Sequence, residues 1–185
     1  MGVAFEGAGL VRYTRVAIAL HWTIAILIVT NLTIGLLHDS LLKGALPLHK
    51  SIGMLVLLLG VVRLGWRIGH RPPPLPARVR RWERRLSATV HWLFYALMIL
   101  IPLSGWIFTS ASLKRHPLSF FGLFPLPMFP VPQDKAIASV WADRHELMAY
   151  LMIALLLLHI AGALKHRFVE RDHVLDRMLP GTTPS

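Results

Sequence analysis

The segment HELMAYLMIALLLLHIAGAL, residues 145–164, is long and apolar enough to cross a bilayer as a single α-helix. It carries two histidines, His145 and His159, fourteen residues apart, and no charged residue from Leu147 to Leu164. An α-helix turns by about 100° per residue, so this spacing returns to within roughly 40° of the same face and separates the rings by ~21 Å along the axis. Imidazoles at two depths of a membrane helix are costly, and they predict a functional site.

The whole chain has the composition of a membrane protein. Of its 185 residues 55% are hydrophobic, and its mean hydropathy is +0.56, which is more apolar than an ordinary soluble domain. Four segments are long enough to span a bilayer: 16–37, 49–66, 86–109 and 145–164. We therefore predict an all-α integral membrane protein, a bundle of four transmembrane helices that forms one membrane domain over residues 1–185. A basic loop over 67–85 and a proline-rich outer cap loop over 110–144 join the helices.

The cations of the chain lie mostly at one end of the predicted bundle. Thirteen of the 20 lysines and arginines fall in the amino-terminal segment, the 67–85 loop and the carboxy-terminal tail, and six fall in the two loops of the opposite side. The positive-inside rule therefore places both termini in the cytoplasm. The arginines border hydrophobic spans, which favours membrane lipid as their partner and argues against nucleic acid.

Cysteine is absent from the sequence. This excludes disulfides, cysteine-ligated iron–sulfur clusters and the covalent attachment of c-type haem. Histidines stacked at ~21 Å suit two haem irons, one near each side of a hydrocarbon layer about 30 Å thick. Any haem must then be held by side-chain coordination alone, which predicts b-type sites.

The other histidines are assigned to a layer by their depth. With the amino terminus inside, His21 lies near the cytoplasmic end of the first helix, and His49 opens the second helix on the outer side. Because a six-coordinate haem iron needs two opposed axial ligands, we pair His49 with His145 in an outer layer. By the same argument His21 pairs with His159 in an inner layer. His91 in the third helix also lies at the inner depth, and it stays open as an alternative ligand, a quinone contact or an ordinary interfacial histidine.

Arg63 stands fourteen residues after His49 and returns to nearly the same face of the second helix at the depth of the inner layer. An unpaired arginine inside a membrane is costly, and a haem propionate is an anion that can hold it. We therefore expect the Arg63 guanidinium within hydrogen-bonding reach of a propionate of the inner haem.

Three glycines share the faces of these histidines. Gly35 follows His21, and Gly105 follows His91, at the same interval of fourteen residues. Gly53 lies within about 40° of the ligand direction on the second helix. A glycine at these places leaves room for a haem macrocycle. Small residues also let membrane helices pack closely, and plain packing stays the alternative for each glycine.

Six short motifs follow one another along the chain: IALHW at 18–22, LHKSIG at 48–53, VRL at 62–64, PLSG at 102–105, HE at 145–146 and LH at 158–159. In this order, and together with the two histidines fourteen residues apart, they resemble the bacterial cytochrome b561 family over about residues 12–180. The resemblance covers nearly the whole chain.

This resemblance implies a protein of the bacterial inner membrane that holds two haem b groups, with His21/His159 and His49/His145 as ligand pairs. It implies electron exchange with ubiquinone and, as in characterised relatives, oxidation of superoxide at the outer face. Related four-helix b cytochromes anchor hydrogenases and formate dehydrogenases, so an electron-transfer subunit that docks a periplasmic dehydrogenase or hydrogenase is the alternative. The short outer loop over 39–48 and the one long outer loop offer limited surface for docking, which favours the self-contained oxidoreductase. We expect the quinone site on the inner side, with His91 as its candidate contact.

Overall fold

The computed structural model describes residues 12–74, 79–114 and 118–181. Four long helices make up most of it: α1 (Arg15–Leu37), α2 (Leu46–Gly69), α3 (Arg81–Ala111) and α4 (Lys135–Leu164). Each is long and apolar enough to cross a membrane. The prediction of a four-helix membrane fold is therefore confirmed. Both ends of the predicted domain (1–11 and 182–185), residues 75–78 of the basic loop and residues 115–117 of the cap loop lie outside the described residues.

A side-chain carboxylate caps the amino-terminal end of the third and the fourth helix. The Glu83 carboxylate accepts a hydrogen bond from the Arg80 N–H (2.9 Å), and the Asp134 carboxylate accepts one from the Ile137 N–H (2.9 Å). These bonds satisfy backbone donors that have no partner inside a helix. Both helices therefore begin earlier than the sequence predicts, because capped turns that include charged residues extend them beyond the apolar spans.

The inward faces of the four helices share one apolar core. Helix α1 packs against α2, α2 against α3, and α3 against α4. Buried core side chains come from every helix and include Ile24, Val56, Leu97 and Met152. Many other large apolar side chains of these helices are exposed. A surface of this kind is unfavourable in water and is matched to lipid.

The chain segment that joins α3 to α4 forms a cap over one end of the bundle. It contains a two-stranded antiparallel hairpin, β1 (Ser119–Phe120) and β2 (Phe124–Pro125). The buried Ser51 of α2 accepts a hydrogen bond from the Phe121 N–H (3.0 Å), and the buried Ser110 of α3 accepts another from the cap backbone. Each bond gives a backbone N–H of the cap a partner on a helix, and together they hold the cap against α2 and α3.

The chain beyond α4 closes the opposite end. A π-helical turn (Lys165–Glu170) continues α4, and the Lys165 ammonium donates to the Glu83 carboxylate of α3 at 2.5 Å. Farther along, the Met178 carbonyl accepts a hydrogen bond from the Trp22 indole N–H of α1 (2.7 Å). The tail thus connects the ends of α1, α3 and α4.

Candidate functional site

Two pairs of histidines face each other in the interior of the bundle. The pair nearer the cap, called the outer pair below, consists of His49 of α2 and His145 of α4. Their ring centroids are 6.1 Å apart, and their ring planes are at 77°. The inner pair joins His21 of α1 to His159 of α4, with ring centroids 6.2 Å apart and ring planes at 70°. All four side chains are partly buried. The structure brings together the members of each pair that the sequence analysis proposed.

These separations fit two imidazoles that bind one metal from opposite sides. A bond from a metal to an imidazole nitrogen is about 2.0–2.1 Å, as measured for zinc. With ring bonds of about 1.33 Å, a ring nitrogen lies roughly 1.1 Å from the ring centre. Two opposed ligands then have ring centres about 6.2–6.4 Å apart. The observed 6.1 and 6.2 Å lie at or just below the lower end of this range, so both layers suit a six-coordinate haem iron.

A backbone carbonyl orients each histidine of the outer pair. The Nδ1–H of His49 donates to the Asn31 carbonyl of α1 (3.0 Å), and the Nδ1–H of His145 donates to the Ile101 carbonyl of α3 (2.9 Å). With the proton on Nδ1, the Nε2 atom of each ring keeps its lone pair for a metal. Histidines that bind metals usually donate their other ring N–H in this way.

A glycine on the neighbouring helix gives each outer ring its space. A Cβ atom on Gly35 would lie 2.9 Å from His49 Cε1, and one on Gly105 would lie 3.0 Å from His145 Cε1. Both distances are too short for ordinary contacts between carbon atoms. The close approach of these imidazoles to α1 and α3 therefore depends on glycine.

The glycine on α2 has a different environment. A Cβ atom on Gly53 would lie 3.6 Å from Asn31 Nδ2, which is an ordinary van der Waals contact. The space beside Gly35 and beside Gly105 is filled by an imidazole ring in this structure. Accommodation of a haem macrocycle by any of the three glycines stays a prediction.

Arg63 lies beside the inner pair. Its Nη2 donates to His21 Nδ1 (3.2 Å), and its Nη1 donates to the Ala17 carbonyl (3.2 Å). A guanidinium has no acceptor, so His21 accepts through Nδ1 and carries its proton on Nε2 in this arrangement. For His21 to bind a metal through Nε2, its proton must move to Nδ1 and Arg63 must turn away. A propionate would attract the released guanidinium, and that contact stays a prediction.

His91 is the third histidine of the inner layer. Its Nδ1–H donates to the Ser87 carbonyl one turn earlier in α3 (2.6 Å). Its ring centroid lies 5.4 Å from that of His159, which is shorter than two opposed ligands need. This geometry favours His21 over His91 as the partner of His159. Within the part of the chain that the structure describes, both hydrogen bonds of His91 involve Nδ1, which leaves Nε2 as an acceptor next to the inner pair.

The structure shows one polar side chain at the outer pair that the sequence analysis did not single out. The Ser104 hydroxyl lies 3.1 Å from His145 Nδ1 and donates to the Ile101 carbonyl (2.7 Å). Its position in the PLSG motif, directly before Gly105, is a signal that could have identified it. The carbonyl groups that orient the outer rings have no such signal, because every residue carries one.

The chain is similar over most of its length to known proteins of one family. A model of the prokaryotic cytochrome b561 family matches residues 12–181. The Escherichia coli K12 protein named cytochrome b561 homolog 2 is 34% identical over 179 residues, which are 91% of either chain. Cytochrome b562 of Cereibacter sphaeroides is 27% identical over 178 residues, 90% of this chain and 94% of the relative. The Yersinia pestis protein named "Probable superoxide oxidase CybB" is 24% identical over 173 residues, 91% of this chain and 96% of the relative.

Proposed function

The chain belongs to the prokaryotic cytochrome b561 family, and on this premise we propose that it binds two haem b groups and transfers electrons across the membrane from superoxide to ubiquinone. Membership makes it a b-type electron-transfer cytochrome of a bacterial membrane. The proposal of two haems on a route across the membrane rests on one observation. Two histidine pairs, with ring centroids 6.1 and 6.2 Å apart, stand at two levels of the same helix, α4.

The overall reaction balances with one-electron carriers. Two superoxide anions each lose one electron and become dioxygen, and one ubiquinone takes up two electrons and two protons to become ubiquinol. A bound haem accepts and releases one electron at a time. His49 and His145 would hold one haem, and His21 and His159 the other. The two levels of α4 are ~21 Å apart along the axis, which is most of a hydrocarbon layer of about 30 Å.

We place the capped end of the bundle outside the cytoplasm and both termini inside. The support is the excess of arginine in the 67–85 loop and the tail, combined with the positive-inside rule. In this orientation the outer pair lies under the cap, and His91 and Arg63 lie toward the cytoplasm. We assign residues 1–185 to one membrane domain, with lipid around its four apolar helices.

Two observations favour superoxide as the donor. The relative from Yersinia pestis carries the name of a superoxide oxidase. In this chain Lys50 directly follows the outer-pair histidine His49 and is partly buried. A cation held at that place attracts a small anion to the outer layer.

Stopped-flow spectroscopy tests the proposed donor and acceptor. The oxidised protein is mixed with potassium superoxide, with and without a soluble ubiquinone analogue, while the haem bands are followed. We expect superoxide to reduce the haem, the quinone to reoxidise it, and superoxide dismutase to abolish the reduction. Reduction by dithionite but not by superoxide would contradict the proposal and favour a docked dehydrogenase or hydrogenase as the donor.

Arg63→Leu is expected to lower the reduction potential of the inner haem. A fixed positive charge disfavours the ferric state, and Arg63 stays at the level of the inner pair whether its guanidinium contacts His21, as here, or turns to a propionate. Unit charges about 8 Å apart at an effective dielectric constant of about 20 interact by about 2 kcal/mol, which corresponds to roughly 90 mV for one electron. Redox titration measures the shift. Arg71→Leu, beyond the end of α2, serves as the control, and an unchanged inner potential in Arg63→Leu would contradict the placement of this charge.

His91→Ala is expected to slow quinone reduction about tenfold, because a hydrogen bond of roughly 1.4 kcal/mol to the bound quinone is lost. Haem content and reduction by dithionite stay unchanged. The exposed His70 stacks on Trp66 at the end of α2, and His70→Ala serves as the matched control. Normal kinetics in His91→Ala, together with slow kinetics after a change near His49, would place the quinone site on the outer side.

A further inference from the structure

The two outer histidines are held by the same arrangement on different helices. Each ring donates from Nδ1 to a carbonyl that lies four residues before a glycine, and each ring packs against that glycine. On α1 the carbonyl belongs to Asn31 and the glycine is Gly35; on α3 they belong to Ile101 and Gly105. The α1–α2 and α3–α4 pairs therefore repeat one another around the outer layer, and they can be compared position by position.

The repeat differs at the residue that precedes each glycine. On α1 this residue is Ile34, which has no polar atom, and on α3 it is Ser104. The Ser104 side chain is 1% exposed. Its hydroxyl donates to the Ile101 carbonyl (2.7 Å) and stands 3.1 Å from His145 Nδ1. The proton on Nδ1 of His145 thus has two acceptors, whereas His49 has only the Asn31 carbonyl among the described residues.

We propose that Ser104 is a positioning residue of the outer haem: its hydroxyl binds the Nδ1–H of His145, strengthens this histidine as an axial ligand and lowers the reduction potential of the outer haem. The inference rests on the proposed role of His145 as a ligand. Hydrogen bonds to the outer nitrogen of a ligand histidine fix its tautomer and raise its basicity. A more basic ligand stabilises the ferric state more than the ferrous state.

The proposed effect has a direct consequence for the route of electrons. The transfer of an electron from the outer to the inner layer releases free energy when the outer haem has the lower reduction potential. Ser104 lowers the outer potential, and Arg63, a cation beside the inner pair, raises the inner potential. The two residues therefore bias the flow in the same direction, from the capped end inward.

The ordinary alternative is that Ser104 serves only its own helix. Serines inside helices often return their hydroxyl hydrogen bond to a carbonyl of the preceding turn, and the bond to Ile101 is of this kind. That role fills space and satisfies the hydroxyl, but it does not affect the electron density on His145. A redox potential separates the two roles, because packing alone does not move it in a defined direction.

Redox titration of the full-length holoprotein tests the proposal, with the two haems resolved by their spectra. Ser104→Ala is expected to raise the outer potential and leave the inner one unchanged. Ser104→Cys keeps the volume but bonds weakly, so it behaves like Ser104→Ala if the hydrogen bond matters and like the unmodified protein if only packing matters. Ile34→Ser adds a hydroxyl at the equivalent place beside His49, and it is expected to lower the outer potential.

Several outcomes would overturn the proposal. These are an outer potential unchanged in Ser104→Ala, a Ser104→Cys protein that matches the unmodified one, and a shift confined to the inner haem. Loss of the outer haem in both Ser104 variants would show that the residue serves assembly instead. Failure of the underlying ligand assignment is detected separately, because His145→Ala would then keep its outer haem.

Discussion

His145→Ala and His49→Ala are each expected to bind about one haem per chain instead of two, with the outer haem lost. In the proposed arrangement each outer ring would supply one of the two axial bonds in its layer, and the chain contains no cysteine to replace it. The equivalent changes at His21 or His159 are expected to remove the inner haem. Haem extraction with pyridine haemochrome spectra measures the content, and redox titration identifies which haem remains.

The control for these four variants is His70→Ala, which changes a histidine outside the bundle interior and should keep both haems. In the inner layer the same experiment also decides between His21 and His91 as the partner of His159. His91 lies 5.4 Å from His159 and His21 lies 6.2 Å from it, measured between ring centroids. A His21→Ala protein with both haems, together with a His91→Ala protein that lacks one, would show that His91 is the ligand.

Gly35→Ala and Gly105→Ala are expected to disturb the outer haem without touching a ligand. The added Cβ atoms would lie 2.9 Å from His49 Cε1 and 3.0 Å from His145 Cε1, so each ring must move away from the carbonyl that orients it. Such overpacking costs about 1–3 kcal/mol. We expect a lower melting temperature in detergent, partial loss of the outer haem and a full complement of the inner haem.

Gly65 provides the control for this prediction. A Cβ on Gly65 would meet no atom within 4 Å. Gly65→Ala should therefore be neutral or stabilising, since alanine is favoured over glycine in a helix by up to about 1 kcal/mol. Equal haem loss in Gly35→Ala, Gly105→Ala and Gly65→Ala would indicate a general effect on helix packing and would contradict the specific contacts described for the imidazole rings.

The four-helix fold could be predicted because membrane helices must be long, apolar and nearly free of charge. Their ends were harder to place. Helix α4 begins at Lys135, where Asp134 caps it, although the apolar span starts only at His145. The search for uncharged spans detects the central part of the helix and misses the extension over 135–144, which is interrupted by charged residues and begins at a side-chain cap.

The histidine layers could also be approached from sequence, because an interval of fourteen residues determines both depth and face. The side-chain contacts around the two histidine layers could not be predicted from the sequence. The distances that separate His21 from His91 as partner of His159 differ by less than an ångström and depend on how α1 and α3 pack. The bond from Arg63 to His21 and the one from Ser104 to His145 depend on side-chain rotamers that no periodicity reports.

The haem content and spin state of the purified protein test the central claim most directly. Each chain is expected to release two non-covalent b haems, and low-temperature electron paramagnetic resonance of the oxidised protein is expected to show two low-spin signals typical of two axial histidines. One haem per chain, or a high-spin signal equal to one haem in the freshly purified protein, would contradict the claim that each histidine pair holds an iron.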